Sequence, residues 1–344
     1  MQPGCYTALI TPFKNNEIDE AGLEKLVSFQ LANGITGLLA VGTTGESPTL
    51  NWNEHISVIE RIAANTRDRC ICIAGTGSNN TAETLEATKH AVKSGCEAVL
   101  LVDPYYNGPS SLEIRREYVA PVAAAYPDTT IIPYIIPGRT GAQMFAEDLA
   151  ILYKEHPNVS CVKEATGSLE NMRRTRLCCG DAYLILSGDD GIIHDMMADK
   201  TIAGNGAISV MSNIAPGPVT EMISALLAGD TEAAKIQFDA LKPLFDLVSV
   251  KTTEKTPHGE VVCRSRNPVP VKTLMQILGM PAGPCRRPLG KMTRAGMDTV
   301  LAAARRVHTE NPHILRPAAD FFGLDIDQRL NDPDILTELT YETY

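Results

Sequence analysis

The sequence predicts a (β/α)8 barrel, and three observations carry that prediction. Eight short β-rich runs recur up to residue 210, each ends in Gly, Thr, Asp or Asn, and helical stretches separate them. A doubly wound sheet would need a glycine-rich phosphate turn after its first strand, and here that strand runs into TPFKNNE.

The elements follow in order. CYTALITP (5–12) reads as the first strand, and DEAGLEKLVSFQLANG (19–34) as a helix with acids in its first turn and Gly34 as its stop. GLLAVGTTG (37–45) is a strand feeding a glycine-flanked loop, followed by a helix from about residue 51 to 65. CICIAGTG (70–77) repeats the pattern, and the pair Asn80 and Glu83 predicts a capping box for the helix over 80–95. AVLLVDPYYNGP (98–109), TIIPYIIPGRTG (130–141), VSCVKEATG (159–167), YLILSGDD (183–190) and GNGAISV (204–210) complete the eight. Helical periodicity then continues at 216–228, 231–247, 269–279 and 293–307. The polar stretch 248–268, with its turn signals, predicts an exposed loop. Residues 310–344 mix prolines, acids and aromatics, and predict an extension on the surface or on a neighbouring subunit, with Phe321, Phe322 and Leu324 as anchors. The predicted organisation is therefore a barrel over 1–215, a C-terminal helical segment over 216–309 and the extension over 310–344.

Composition narrows the function. The 44% hydrophobic and 21% charged content is that of a globular chain with ample core. A net charge of −10 without a Lys/Arg block argues against a nucleic-acid partner. No apolar run reaches about 18 residues, and MQPGCYTALI lacks a signal peptide's basic and apolar regions, which predicts a cytoplasmic protein without membrane contact. Nine cysteines without a C-x-x-C pair read as buried thiols in a reducing compartment.

In such barrels chemistry sits at the C-terminal strand ends. The residues there include Thr43, Thr44, Glu46, Gly77, Tyr105, Tyr106, Tyr134, Arg139, Lys163, Glu164, Gly188 and Ile208. Lys163 lies in an apolar run, where desolvation penalises the ammonium. Either it snorkels outward or its amine is neutral, and a neutral amine adds to carbonyls as the Schiff-base lysines of aldolases do. Imine chemistry needs a group to hold a carboxylate, a proton shuttle and a dry site. Tyr106, Tyr134 and the Thr43–Thr44 pair supply hydroxyls. Backbone N–H groups of the 42–45 turn suit a carboxylate, and Arg139 suits a second one. Singly, each has an ordinary reading: rim packing for Tyr105 and Tyr106, a surface ion pair for Arg139, a turn for GTTG. Their convergence around one apolar lysine favours a site. The absence of H-x-x-x-H or clustered carboxylates predicts that no metal is bound.

GTTGESPTLNWNEH (42–55), IAGTGSNNTAE (73–83), DPYYNGPS (103–110), PYIIPGRTG (133–141), VKEATGS (162–168), SGDD (187–190), GAISV (206–210) and NPVPVK (267–272) together resemble the signature of the dihydrodipicolinate synthase/N-acetylneuraminate lyase family of class I aldolases, in one order over 4–308. The resemblance implies a barrel with a C-terminal helical segment, in a homotetramer built as a dimer of dimers. GTTGE and the arginine of the P-x-R-T-G turn resemble the synthase branch more than the sialic acid lyases. That branch implies condensation of pyruvate with L-aspartate-β-semialdehyde to 4-hydroxy-tetrahydrodipicolinate in lysine and diaminopimelate biosynthesis, with no cofactor beyond the covalent imine on Lys163. It further implies that Tyr134, Thr43 and Tyr106 relay protons, with Tyr106 reaching into the neighbouring subunit's site. Thr44 would hold pyruvate's carboxylate and Arg139 that of the semialdehyde, while Gly188 and the Ile208 carbonyl line the pocket. The family's inhibitory L-lysine site maps onto Ser47, His55, Asn79, Glu83 and Tyr105, lined by Pro48 and Trp52.

Two departures stand out. Ile135 replaces the family's usual asparagine, which is expected to remove a polar group from the pocket rim, and the 248–268 and 310–344 segments exceed the common length. The alternative is a related pyruvate aldolase acting on a sugar acid or other keto acid, and Arg139 discriminates between the two. A homologue that only binds pyruvate or lysine is disfavoured, because every relay group is present.

Overall fold

In the computed structural model, which describes residues 1–344, the eight apolar runs pair in parallel and close on themselves. The strands are β1 (Gly4–Ala8), β2 (Gly37–Ala40), β3 (Ile71–Gly75), β4 (Ala98–Val102), β5 (Thr130–Ile135), β6 (Cys161–Glu164), β7 (Leu184–Ser187) and β8 (Gly206–Ser209). Both faces of each strand are covered, so the strands read as continuous apolar runs rather than alternating ones. One set of alternate side chains, including Tyr6, Leu39, Ile132 and Leu186, fills the barrel, and the other packs outward against helices. The barrel closes where β8 meets β1, with Gly4 opposite Gly206. Gly206 has φ +135°, and a Cβ there would stand 2.0 Å from the Gly4 carbonyl oxygen, so the seam needs glycine.

Helix starts largely follow the sequence signals. Asn51 and Glu54 form a reciprocal capping box ahead of Trp52–Thr66. The box expected from Asn80 and Glu83 does not form. Asn80 accepts from the Ala82 amide, and the Glu83 carboxylate takes a hydrogen bond from the Ser78 hydroxyl at 2.5 Å instead. A loop hydroxyl outside the helix has displaced the local partner.

The stretch expected as an exposed loop is a hairpin. β9 (Ser249–Thr256) and β10 (Gly259–Arg266) pair antiparallel from Ser249–Arg266 to Thr256–Gly259. One face is exposed and the other only half-buried, with Val250 alone fully buried, so no strong hydrophobic stripe marks them. The available signal was the β-branched content of SVKTTEKT and GEVVCRSR on either side of a two-residue turn.

Beyond β8 the helix Pro216–Leu227 packs on β1, and Thr231–Phe245, Val269–Leu278 and Arg294–Glu310 follow. The last residues form three short helices, Arg316–Phe322, Ile326–Asn331 and Pro333–Glu338, folded back on their own chain. The rings of Phe321 and Phe322 stand 5.2 and 5.1 Å from that of Phe29, while Leu315, Ala318 and Leu330 are buried. No helix is long and apolar enough to cross a membrane. All nine cysteines are free, with Cys5, Cys72, Cys96 and Cys161 buried.

Candidate active site

Lys163 is the third residue of β6, in register with Tyr134 on β5 and Leu186 on β7. Strand alternation sends Val162 outward and Cys161 and Lys163 into the barrel. The side chain is 4% exposed. Burial lowers its amine to about 7, the buried Asp190 carboxylate partly offsets this, and the Arg139 guanidinium adds to the lowering. Its Nζ lies 4.2 Å from the centroid of the Tyr134 ring. Gly188 makes room for it: a Cβ there would stand 3.0 Å from the Lys163 Cε and 2.9 Å from the Ala165 Cβ. Any side chain at 188 must therefore displace the lysine or the chain beside it.

Tyr134 is also buried, and its hydroxyl is pushed up by desolvation, against which Arg139 and a hydrogen bond from Thr43 act. The two hydroxyls and the amine thus converge from the ends of β2, β5 and β6.

The Thr43–Thr44 loop is held from beneath. Glu46 adopts a left-handed backbone, φ +57°, and its fully buried carboxylate receives the Lys272 ammonium at 2.6 Å and the Arg286 amide at 2.8 Å. Lys272 also donates to the Thr11 carbonyl at 3.0 Å, so one cation ties the loops after β1 and β2 to the C-terminal helical segment. Asn267 joins the two carboxylate-binding candidates. Its side chain donates to the Thr44 hydroxyl at 2.9 Å, and its carbonyl accepts from Arg139 at 2.9 Å.

A cavity of about 520 Å³ opens beside these groups. Thr43, Tyr134 and Arg139 form part of its wall; Ser47, Pro48, Trp52, His55, Glu83 and Tyr105 form another part. The catalytic and lysine-site candidates therefore share one space. Burial and the neighbouring His90 lower the His55 imidazole to about 4, so it is neutral near pH 7, with its ring 5.6 Å from that of Trp52. Asn79 is exposed and does not line the cavity; its side-chain oxygen accepts from the Tyr105 amide at 2.7 Å. Lys163, Gly188, Ile208 and Thr44 do not line this cavity: Lys163, Thr44 and Ile208 are buried, Ile208 in the barrel interior beside Tyr134 and Leu186, and Gly188 is half-buried. Tyr106 is 87% exposed and stands apart from the cavity of its own chain.

The expectation for Ile135 is corrected. It packs fully buried in the layer between barrel and helices, because Tyr134 points inward and its neighbour must point outward; Ile136 is the residue that reaches the cavity. A polar group at 135 would sit in that layer rather than on the rim.

Sequence reasoning gave no role to Asp190, Asn267 or Lys272, although SGDD and NPVPVK contain them. Asp190 is buried, desolvation raises its carboxyl to about 6, and it accepts from the Val210 and Met211 amides at 3.0 and 3.1 Å. It is the acid whose charge reaches Lys163.

With this geometry in place, comparisons with known proteins agree. The sequence pattern of the Dihydrodipicolinate synthetase family matches residues 1–306. A 4-hydroxy-tetrahydrodipicolinate synthase of Syntrophus aciditrophicus (strain SB) is 40% identical over 298 residues, 87% of this chain and 96% of the relative. Among solved structures, the 4-hydroxy-tetrahydrodipicolinate synthase of Methylacidiphilum fumariolicum SolV superposes with a TM-score of 0.83 at 33% identity, covering 92% of this chain and 99% of that one. DHDPS from Cyanidioschyzon merolae with lysine bound superposes with a TM-score of 0.80 at 33% identity, covering 89% and 98%. The barrel, the C-terminal helical segment and these matches place the chain, an enzyme of the lyase class, in the dihydrodipicolinate synthetase family.

Proposed function

We propose that the protein condenses pyruvate with L-aspartate-β-semialdehyde to 4-hydroxy-tetrahydrodipicolinate through an imine on Lys163, in the cytoplasm and without a cofactor or metal. The observation that carries this reading is the buried Lys163 amine, lowered to about 7 and set 4.2 Å from the Tyr134 ring. The neutral amine adds to the C2 carbonyl of pyruvate, and Tyr134 protonates the departing hydroxyl, which leaves as water. Loss of a methyl proton gives the enamine, whose carbon attacks the aldehyde. The amino group of the acceptor then displaces Lys163 as the ring closes, returning the free amine. Thr43 and Tyr134 pass the protons, and Tyr106, exposed on its own chain, completes the relay from a neighbouring subunit of a homotetramer. Thr44 and its loop amides hold pyruvate's carboxylate, Arg139 holds the acceptor's, and Gly188 and the Ile208 carbonyl bound the space around the imine.

Two measurements check the chemistry. Imine formation requires the free amine, so the rate of adduct formation at fixed pyruvate should rise with pH through about 7 and fall tenfold per pH unit well below it. A flat profile from pH 5 to 8 would exclude a lysine with the lowered value. A coupled assay over a panel of aldehydes should give the semialdehyde the highest kcat/KM; preference for a neutral sugar-derived aldehyde would assign the alternative acceptor.

The same cavity supports L-lysine as inhibitor, bound by Ser47, Asn79, Glu83 and Tyr105 beside His55, Pro48 and Trp52. The lysine-bound relative supports this, and Glu83 supplies an acid for an ammonium. Glu83→Ala should weaken inhibition at least tenfold while leaving uninhibited kcat within about twofold, since a charge-assisted hydrogen bond contributes about 1.5–3 kcal/mol. Identical inhibition curves for the two proteins would remove Glu83 from the site.

A further inference from the structure

The β9–β10 hairpin ends at the proposed acceptor site. Its last residue, Arg266, precedes Asn267, whose carbonyl accepts from Arg139 at 2.9 Å. Arg266 in turn donates from Nη1 to the carbonyl of Gly138, the residue before Arg139, at 3.0 Å. Each arginine therefore grips the backbone beside the other, and the charge of Arg266 reaches Arg139. Each has one nitrogen on a carbonyl and two nitrogens without a protein partner. Neither has a carboxylate at ion-pair distance, and after desolvation the charges that act on Arg139 are Tyr134, Arg266 and Arg264. Arg264 lies further out on the same strand and donates to the Ser249 hydroxyl at 3.1 Å. In a chain with ten more acidic than basic side chains, such a cluster of unneutralised cations is unusual; Arg139 lines the cavity, and Arg266 stands half-buried beside it, outside the cavity lining. Like charges so placed repel one another unless an anion sits between them.

We propose that Arg266 is a second guanidinium of the acceptor-carboxylate site, working beside Arg139 to make the enzyme selective for aldehydes that carry a carboxylate, with Arg264 adding to the attraction from outside. The hairpin is thus a specificity element, and β10 places its cation by running straight into Asn267. This rests on the reading of Arg139 as the acceptor's anchor.

The test compares wild type, Arg266→Met, Arg266→Lys and a control at the hairpin tip, Lys255→Met, in steady-state assays with pyruvate and paired aldehydes with and without a carboxylate. Borohydride trapping with pyruvate alone is run alongside. Arg266→Met should raise KM for the carboxylate-bearing aldehyde at least tenfold and narrow its preference over the neutral aldehyde by a similar factor. KM for pyruvate and the trapped yield should stay within twofold of wild type. Arg266→Lys should recover part of the loss, and Lys255→Met should match wild type. An acceptor KM within twofold of wild type in Arg266→Met would overturn the arginine pair while leaving the condensation reading intact. Equal losses in pyruvate KM, trapping and acceptor KM would assign Arg266 to holding the fold, and would overturn it likewise. A wild type that traps pyruvate but turns over no carboxylate-bearing aldehyde would overturn both readings together.

Discussion

Lys163→Ala should lower kcat at least about 10³-fold and abolish any covalent adduct with pyruvate, because no other group at the barrel floor can take over as the imine nitrogen. The same change should cost little stability. An unfolded lysine holds its proton up to about pH 10.4, whereas Lys163 in the fold releases it at about 7. Between those values the unfolded chain binds more protons, so stability rises with pH across that window, and at pH 7 the fold still carries most of the cost of burying the amine. Lys163→Met, of similar shape and without charge, should therefore unfold at the same temperature as wild type or higher while being inactive. A site that gains stability when its key residue is lost is one built for chemistry rather than for packing. Thermal unfolding and activity on the same preparation decide it.

Lys272 should behave in the opposite way. It is as deeply buried as Lys163, yet its ammonium meets the Glu46 carboxylate at 2.6 Å and lies 4.3 Å from the Phe13 ring centroid. Lys272→Met leaves Glu46 as an uncompensated buried charge, which costs about 3–5 kcal/mol. Tm should drop by several degrees. Because Glu46 anchors the loop carrying Thr43 and Thr44, residual folded enzyme should also show reduced kcat. Adding Glu46→Gln to Lys272→Met should restore part of the lost stability by removing the orphaned charge, although the loop would remain loosened. A double variant less stable than Lys272→Met would contradict the pairing.

These two lysines show what the sequence could and could not reveal. Both sit in apolar runs, VSCVKEATG and NPVPVKTLM, and local pattern does not separate them. What separates them is a carboxylate at ion-pair distance, 226 residues away in the chain, for Lys272, whereas Lys163 feels the charge of Asp190 without such a pair. The barrel itself was legible, because strands buried on both faces leave uninterrupted apolar runs with polar or glycine terminators. The convergence of Thr43, Tyr134 and Arg139 on one cavity followed from their places at strand ends. Asn267 was hidden by its separation of 223 positions in the chain from Thr44. The parity of Ile135 was hidden too, since TIIPYII is apolar at nearly every position and gives no alternation to read. The hairpin was missed for the reverse reason: its covered face is only half-buried and carries mostly polar side chains, so it presents no apolar periodicity, although its pairing is regular from end to end.

The central claim is that Lys163 forms an imine with pyruvate. Borohydride reduction in the presence of pyruvate, followed by peptide mass mapping, tests it most directly. The expected result is one reduced pyruvate unit per chain, located on the peptide containing Lys163, and none in Lys163→Ala. An unmodified Lys163 peptide in wild type, or an adduct at another lysine that persists in Lys163→Ala, would contradict it.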